Sequence, residues 1–288
     1  SREIQPHPYG IELGILIRML KDTKARTVKS ALMTDFSRVS NTVAHQICDA
    51  AGIRPDAMAK RLSHNQVEML FQAIPKVKIM APPTSCLSPI GEELLLRGLE
   101  ARIDADFYTT VTRPPAVYRG NPFQIEVGLA YGGKLESEEL GEVYRFANRV
   151  PLQYQQSACA VTKSVIGTDW KKYGLAQARS ALPSGPVVIM VHMASVWVPF
   201  TSESKEAVAS YPEITKEIRL ALMEAGRRMG AHVRKRKKAM DEARKHAYIT
   251  KYIPHIGDAL KDILGLTQKK RDATVEKLKG ILESNRKV

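Results

Sequence analysis

The sequence predicts an α+β protein, with a helical domain first, an α/β sandwich second and a long helix leading out of it. Three observations predict this. Apolar residues recur at three- and four-residue spacing up to Pro83, alternate in short runs from Phe107 to Phe200, and return to helical spacing from Pro212. Turn residues separate these regimes, with Pro82-Pro83 closing the first and Pro114, Pro115, Gly120, Asn121 and Pro122 punctuating the strands. Hydrophobic residues make up 44% of the 288, enough for a real core.

The elements follow in order. Residues 1–83 read as a compact helical module. Tyr9–Leu20 sets Ile11, Ile15 and Met19 at helical spacing beside Leu16 and Leu20, and a second helix spans Thr27–Phe36. Ser40 or Asn41 caps a third, which carries Val43, Ile47 and Ala51 and stops at Gly52. His64 or Asn65 opens a fourth with Val67, Leu70 and Phe71. Residues 84–252 form the sandwich and the long helix. Ser88 and Pro89 suit a helix start, with Glu92 and Glu93 at the positive end of its dipole and an end near Arg102. Strands are expected at Phe107–Thr112, Phe123–Tyr131, Val143–Val150 and Val187–Phe200, with Ser157–Ile166 helical between the last two. That order suits helices lying on one face of a sheet.

From about Pro212, Ile214, Ile218, Ala221, Leu222, Ala225, Met229 and Val233 hold one helical stripe, which is expected to run to Tyr252, before Pro254. About forty helical residues reach roughly 60 Å, the proportions of a lever or stalk. Residues 253–288 read as short amphipathic helices around Gly265, a tail suited to docking on a partner.

The formal net charge of +14 implies a polyanionic partner, either nucleic acid or an anionic membrane surface. A merely soluble basic protein, or an adaptor docked on an acidic partner, would carry the same charge. Cys48, Cys86 and Cys159 stand far apart, with no CxxC pair, which fits a reducing compartment. No apolar run approaches the roughly 18 residues of a membrane span. No signal peptide pattern opens the chain, and Ser1 in place of Met predicts a processed or excised chain.

Motifs for catalysis are missing. There is no GxxxxGK[ST] loop, no GxGxxG after a strand, no HExxH and no GxSxG. The seven histidines show no metal spacing, so no metal ligand is assigned. Gly132-Gly133 reads as a turn.

Three features stand out. Thr201-Ser-Glu-Ser-Lys205 follows an apolar strand, and Lys205 is either a solvated loop lysine or a point charge that reaches a phosphate. Asp169-Trp-Lys-Lys-Tyr173 brackets Lys171 and Lys172 with two aromatics. Trp170 and Tyr173 either lie along a nucleic-acid backbone or anchor the loop in the core. The basic helix from Arg227 to Lys245, densest at Arg234, Lys235, Arg236, Lys237 and Lys238, either neutralises phosphates or is a solvated face.

Long stretches of the sequence resemble the B subunit of archaeal DNA topoisomerase VI, a type IIB enzyme. They are Pro6-His-Pro-Tyr-Gly-Ile-Glu-Leu-Gly14, the run Met80–Glu93, Asn121–Tyr131, Arg145-Phe-Ala-Asn-Arg-Val-Pro-Leu-Gln-Tyr154, and Trp197–Lys205. The resemblance covers nearly the whole chain and is weakest after Tyr252. It implies a helix–two-turns–helix domain for residues 1–83 and a transducer domain with a split β-α-β core for the sandwich.

The resemblance also implies an ATPase domain of the Bergerat fold, whose asparagine magnesium ligand and glycine-rich lid have no counterpart in this chain. ATP is therefore expected to be bound mainly elsewhere, with magnesium accompanying it and no magnesium ligand here. Lys205 matches the lysine that reaches the ATP γ-phosphate. Trp170, Lys171 and Tyr173 match a Trp-Lys-x-Tyr loop implicated in DNA contact, with Lys172 inside it. Lys24, Arg26 and Lys29 are added from charge alone.

The implied partners are double-stranded DNA, the topoisomerase VI A subunit, which carries the DNA-cleaving tyrosine, and a second B subunit joined through the ATPase domain, with no membrane. The implied location is cytoplasmic, at the nucleoid. The implied role couples nucleotide state to double-strand passage, without activity of this chain alone. The rival reading is a stand-alone RNA- or ribosome-binding basic protein.

Overall fold

A computed structural model describes residues 4–284. The chain divides into two compact units, Ser1–Met229 and Gly230–Val288.

The first unit opens with four helices: α1 (Leu13–Asp22), α2 (Val28–Asp35), α3 (Asn41–Ala51) and α4 (His64–Ala73). Their boundaries follow from local hydrogen bonds. The Thr27 hydroxyl accepts from the Ser30 amide and the Ser40 hydroxyl from the Val43 amide. Ser63 and Gln66 form a reciprocal capping box at α4. Gly52 ends α3 at φ +66°, a conformation open to glycine. The enclosed core contains Leu16, Leu20, Leu32, Phe36, Ile47, Leu70 and Ile74, all almost wholly buried. Each such side chain contributes about 1.5–3 kcal/mol by leaving water.

The sandwich begins with α5 (Glu92–Arg102), then β1 (Phe107–Thr112), β2 (Ala116–Tyr118), β3 (Asn121–Tyr131), β4 (Glu142–Ala147) and β5 (Val150–Pro151). After them come α6 (Ala160–Ile166), a small β6 (Ala176–Gln177) and β7 (Pro183–Ser184) pair, and β8 (Val187–Ser195). The main sheet runs β1-β3-β8-β4-β5, with β2 pairing beside β3. β4 and β8 are parallel and the other pairs are antiparallel.

Three expectations for the sandwich need correction. The β-α-β unit is not split: α6 connects β4 to β8, and these two are direct neighbours in the sheet. Helices also do not lie on one face only. A side chain at Gly128 would meet Leu99 and Leu95, so α5 covers the face carrying Gly128, Glu126 and Ala130. Ile125, Val127 and Leu129 point the other way and are also fully buried. The elements with matching buried stripes are α6 and the start of α7 (Pro212–Leu264). An Arg113–Glu217 ion pair at 3.0 Å and a hydrogen bond from Arg228 to the Thr110 carbonyl at 2.8 Å tie α7 to β1.

Finally, α5 starts at Glu92 rather than at Ser88-Pro89. The amides of Ile90 and Gly91 donate instead to the Glu126 carboxylate, at 2.8 and 2.7 Å.

The second unit holds the rest of α7 and α8 (Gln268–Ser284). The long helix does not end before Pro254 but runs through it to Leu264. Proline removes one backbone donor and costs about 3 kcal/mol in a helix interior. Packing of α8 offsets that cost. Ile253 and Val275 are buried, and Gly257 leaves room for Val275, which would lie 2.4 Å from any Cβ there. Arg271 on α8 donates to the Pro254 carbonyl at 3.2 Å and pairs with Asp258 at 2.8 Å.

Candidate functional site

Lys205 sits at the tip of the loop that joins β8 to α7. The loop has a narrow neck: Phe200 bridges Val208, the Thr201 amide donates to the Ala207 carbonyl at 2.9 Å, and Ala209 donates to Pro199 at 2.7 Å. Inside it the Lys205 amide donates to the Ser202 carbonyl at 3.2 Å, and the Ser202 and Ser204 hydroxyls are 2.8 Å apart. Lys205 has φ +56°, the left-handed region that side chains rarely adopt, at a cost on the order of 1–2 kcal/mol. Its side chain is exposed, and no carboxylate pairs with it among the described residues. The fold thus holds an exposed cation forward on a strained, closed loop, an arrangement suited to a phosphate oxygen.

The second feature is the 3-10 turn Trp170–Tyr173. Trp170 is wholly buried, and its indole N–H donates to the Val165 carbonyl at 2.8 Å. The Gln177 side chain braces the turn, accepting from the Trp170 amide at 3.1 Å and donating to the Ile166 and Ala181 carbonyls. Tyr173 is half-buried, edge-on to Trp170 at 6.0 Å. It lies so close to α7 that a side chain at Gly226 would meet its ring at 2.5 Å. The ring of Trp170 therefore belongs to the core and offers no face for stacking. Lys171 and Lys172 remain exposed, and Lys172 pairs with Asp169 at 3.3 Å.

The other basic positions divide between the two units. Lys24 and Arg26 are exposed on the α1–α2 connection, and Lys29 is half-buried in the first turn of α2. In the second unit Arg234, Lys235, Arg236, Lys237 and Lys238 are all exposed on α7, with Lys238 3.8 Å from Glu242.

Sequence reasoning missed the pair Glu126–His192. The register puts these residues opposite each other on β3 and β8, both fully buried, with Nδ1 of His192 2.8 Å from Glu126. The Arg149 amide donates to His192 Nε2 at 3.0 Å, which leaves the ring proton on Nδ1, donated to Glu126. Burial pushes the Glu126 carboxyl up, but the bonds from His192, Ile90 and Gly91 outweigh it and hold the pKa below the ordinary carboxylate value. The signal was available: each is a polar side chain flanked on both sides by apolar residues, Ile125 and Val127 for Glu126, Val191 and Met193 for His192.

Among the described residues no group of three or more His, Cys, Asp or Glu side chains is placed to hold a metal. No described helix is long and apolar enough to cross a membrane.

Residues 82–245 match the family model of the topoisomerase VI B subunit, transducer. Curated relatives extend the match, each of them the B subunit of a type 2 DNA topoisomerase 6. That of Methanococcoides burtonii is 47% identical over 92% of this chain and 42% of its own length. That of Methanosarcina barkeri is 45% identical over 100% and 46%, and that of Archaeoglobus fulgidus 42% identical over 99% and 47%. The chain thus spans less than half the length of these relatives. Among solved structures, the B-subunit of the DNA gyrase from Myxococcus xanthus aligns at a TM-score of 0.31 and 21% identity over 46% of this chain and 36% of that one, too distant to bear on the fold. The family match spans more than half of the chain, and the chain belongs to the topoisomerase VI B subunit transducer family.

Proposed function

We propose that this chain is the coupling part of an ATP-dependent type II DNA topoisomerase, carrying nucleotide state from an ATPase domain toward the DNA-cleaving A subunit. The observation that supports this most is Lys205, an exposed cation held out on a strained loop between the central strand β8 and the long helix α7. ATP supplies the triphosphate, and Lys205 pairs with its terminal phosphate as a point charge. Because the loop leads straight into α7, the helix position becomes sensitive to whether that phosphate is present. A second B subunit joins through the ATPase domain. Magnesium accompanies ATP and takes no ligand from this chain.

DNA contact is the second half of the proposal. Lys171 and Lys172 are offered on a rigid turn, Arg234–Lys238 on an exposed helix, and Lys24, Arg26 and Lys29 on the helical module, read as a helix–two-turns–helix domain. Trp170 acts here as an anchor. The proposed location is the cytoplasm, at the nucleoid. The domain limits 1–83, 84–252 and 253–288 belong to the same proposal, the last segment serving as a docking tail.

The test uses an assembled topoisomerase whose B subunit carries this sequence. Lys205→Ala should lower ATP hydrolysis at least about tenfold, in line with removing one transition-state donor. Hydrolysis and strand passage at wild-type rates would sink the proposal.

A further inference from the structure

The loop carrying Lys205 follows β8 and ends at Tyr211, just before α7, and near both its ends, at Trp197 and Tyr211, it rests on one short turn. Tyr118, the last residue of β2, stacks with Trp197 at 6.4 Å and 11° and packs against Tyr211 at 4.2 Å. The next residue, Arg119, places its guanidinium carbon 5.5 Å from the Tyr118 ring centre and 5.4 Å from that of Tyr211. The Ser195 hydroxyl adds a third tie, with the Pro122 carbonyl at 3.0 Å and the Trp197 carbonyl at 2.9 Å.

The turn itself is immobilised from its other side. A side chain at Gly10 would lie 2.5 Å from the Arg119 carbonyl, and one at Gly120 would lie 2.8 Å from the Gly10 amide and 3.0 Å from His7 Nδ1. Two glycines therefore let the turn press backbone to backbone on the segment that opens the helical module.

The identity of Arg119 is the unusual part. Tyr118 pairs with Asn121, so Arg119 and Gly120 form a two-residue hairpin turn, with φ of +44° and +70°. Both positions of such a turn favour Gly, Asn or Asp. An arginine there is strained, and its evident gain is the cation over two aromatic rings, one of them at the far end of the loop.

We propose that Arg119 is a positioning residue for Lys205. Its guanidinium clamps the exit of the loop to the β2–β3 turn and so fixes where the lysine stands. This rests on the reading of Lys205 as a phosphate-sensing residue. The loop geometry can nevertheless be tested apart from that reading.

The first measurement is amide hydrogen exchange on this chain, comparing wild type, Arg119→Ala and Arg119→Lys. In Arg119→Ala the Thr201 and Lys205 amides should exchange about two- to fivefold faster, the scale of one cation–π interaction, while the amides of β3 and β8 keep their protection. Arg119→Lys should restore much of that protection. Unchanged loop exchange, or an equal loss of protection across the sheet, overturns the proposal.

The second measurement is ATP hydrolysis by the assembled enzyme. Arg119→Ala should lower kcat several-fold with little change in KM, and adding it to Lys205→Ala should cause no further loss. Additive losses overturn the proposal. If Lys205→Ala alone leaves hydrolysis unchanged, the phosphate-sensing reading fails, while the exchange data still decide whether Arg119 positions the loop.

Discussion

Lys205 and Lys171 are both exposed lysines on short segments beside aromatic residues, yet the fold holds them in different ways. Lys171 follows a tryptophan that is part of the core, and its turn is braced by Gln177 and pressed against Gly226 of α7. Lys205 has no such anchor of its own. Its loop is closed at the neck by backbone bonds, its own backbone is strained, and the aromatics that steady it lie outside its tip. The first arrangement presents charge on a rigid mount, suited to a long, regular polyanion. The second holds charge at the exposed tip of a loop, the kind of segment from which moving parts are drawn.

The largest expected consequence of this difference is in stability. Trp170→Ala should destabilise the first unit by about 3–5 kcal/mol, read by denaturant unfolding, because it empties a fully enclosed indole site. A cost near zero would mean the turn is not mounted on the core, and the contrast with Lys205 would vanish.

Glu126→Gln comes next, with an expected cost of about 1–3 kcal/mol at neutral pH, since His192 and two amides lose a charged acceptor. The pH dependence has a definite sign. The folded protein holds this carboxyl below its ordinary pKa of 4.5, so its stabilisation is complete above that value and is lost as the pH falls through the lower folded value. The gap between wild type and variant should therefore narrow in acid. A gap that is constant with pH would remove the role given to this charge.

The smallest effect has the opposite direction. Lys205→Gly should stabilise the chain by about 1 kcal/mol by relieving a positive φ, although a glycine's extra freedom in the unfolded state offsets part of this. Destabilisation would show that the Lys205 side chain is itself part of the packing.

Much of the fold was legible because each helix and strand carries its own local signal. The helix start near Thr27, the cap at Ser40, the stop at Gly52 and the apolar stripe from Ile214 to Met229 depend on neighbouring residues only. What failed depended on distant ones. The start of α5 is set by a carboxylate on β3, the passage of α7 through Pro254 is set by packing on α8, and the neighbouring of β4 and β8 is a property of the whole sheet.

The site was legible in the same uneven way. Spacing alone left Lys205 open between a solvated lysine and a phosphate contact. The resemblance singled it out, and the structure added its strain and exposure. Spacing left Trp170 open between stacking platform and anchor and the resemblance set it among the DNA contacts, but its burial makes its ring an anchor. Glu126 and His192 were each visible as polar residues in apolar strands, but only the strand register reveals them as a pair.

The proposed function gives one chain two separable roles, sensing of phosphate by Lys205 and contact with DNA by the Lys171–Lys172 turn. The most direct measurement compares Lys205→Ala with the double variant Lys171→Glu, Lys172→Glu in the assembled enzyme, following ATP hydrolysis and the salt dependence of DNA binding together. Lys205→Ala is expected to lose hydrolysis and keep the wild-type salt slope. The double variant is expected to flatten that slope by about 0.9 for each phosphate no longer neutralised. Equal slopes in all three proteins, or a slope changed by Lys205→Ala instead, would contradict that division of roles.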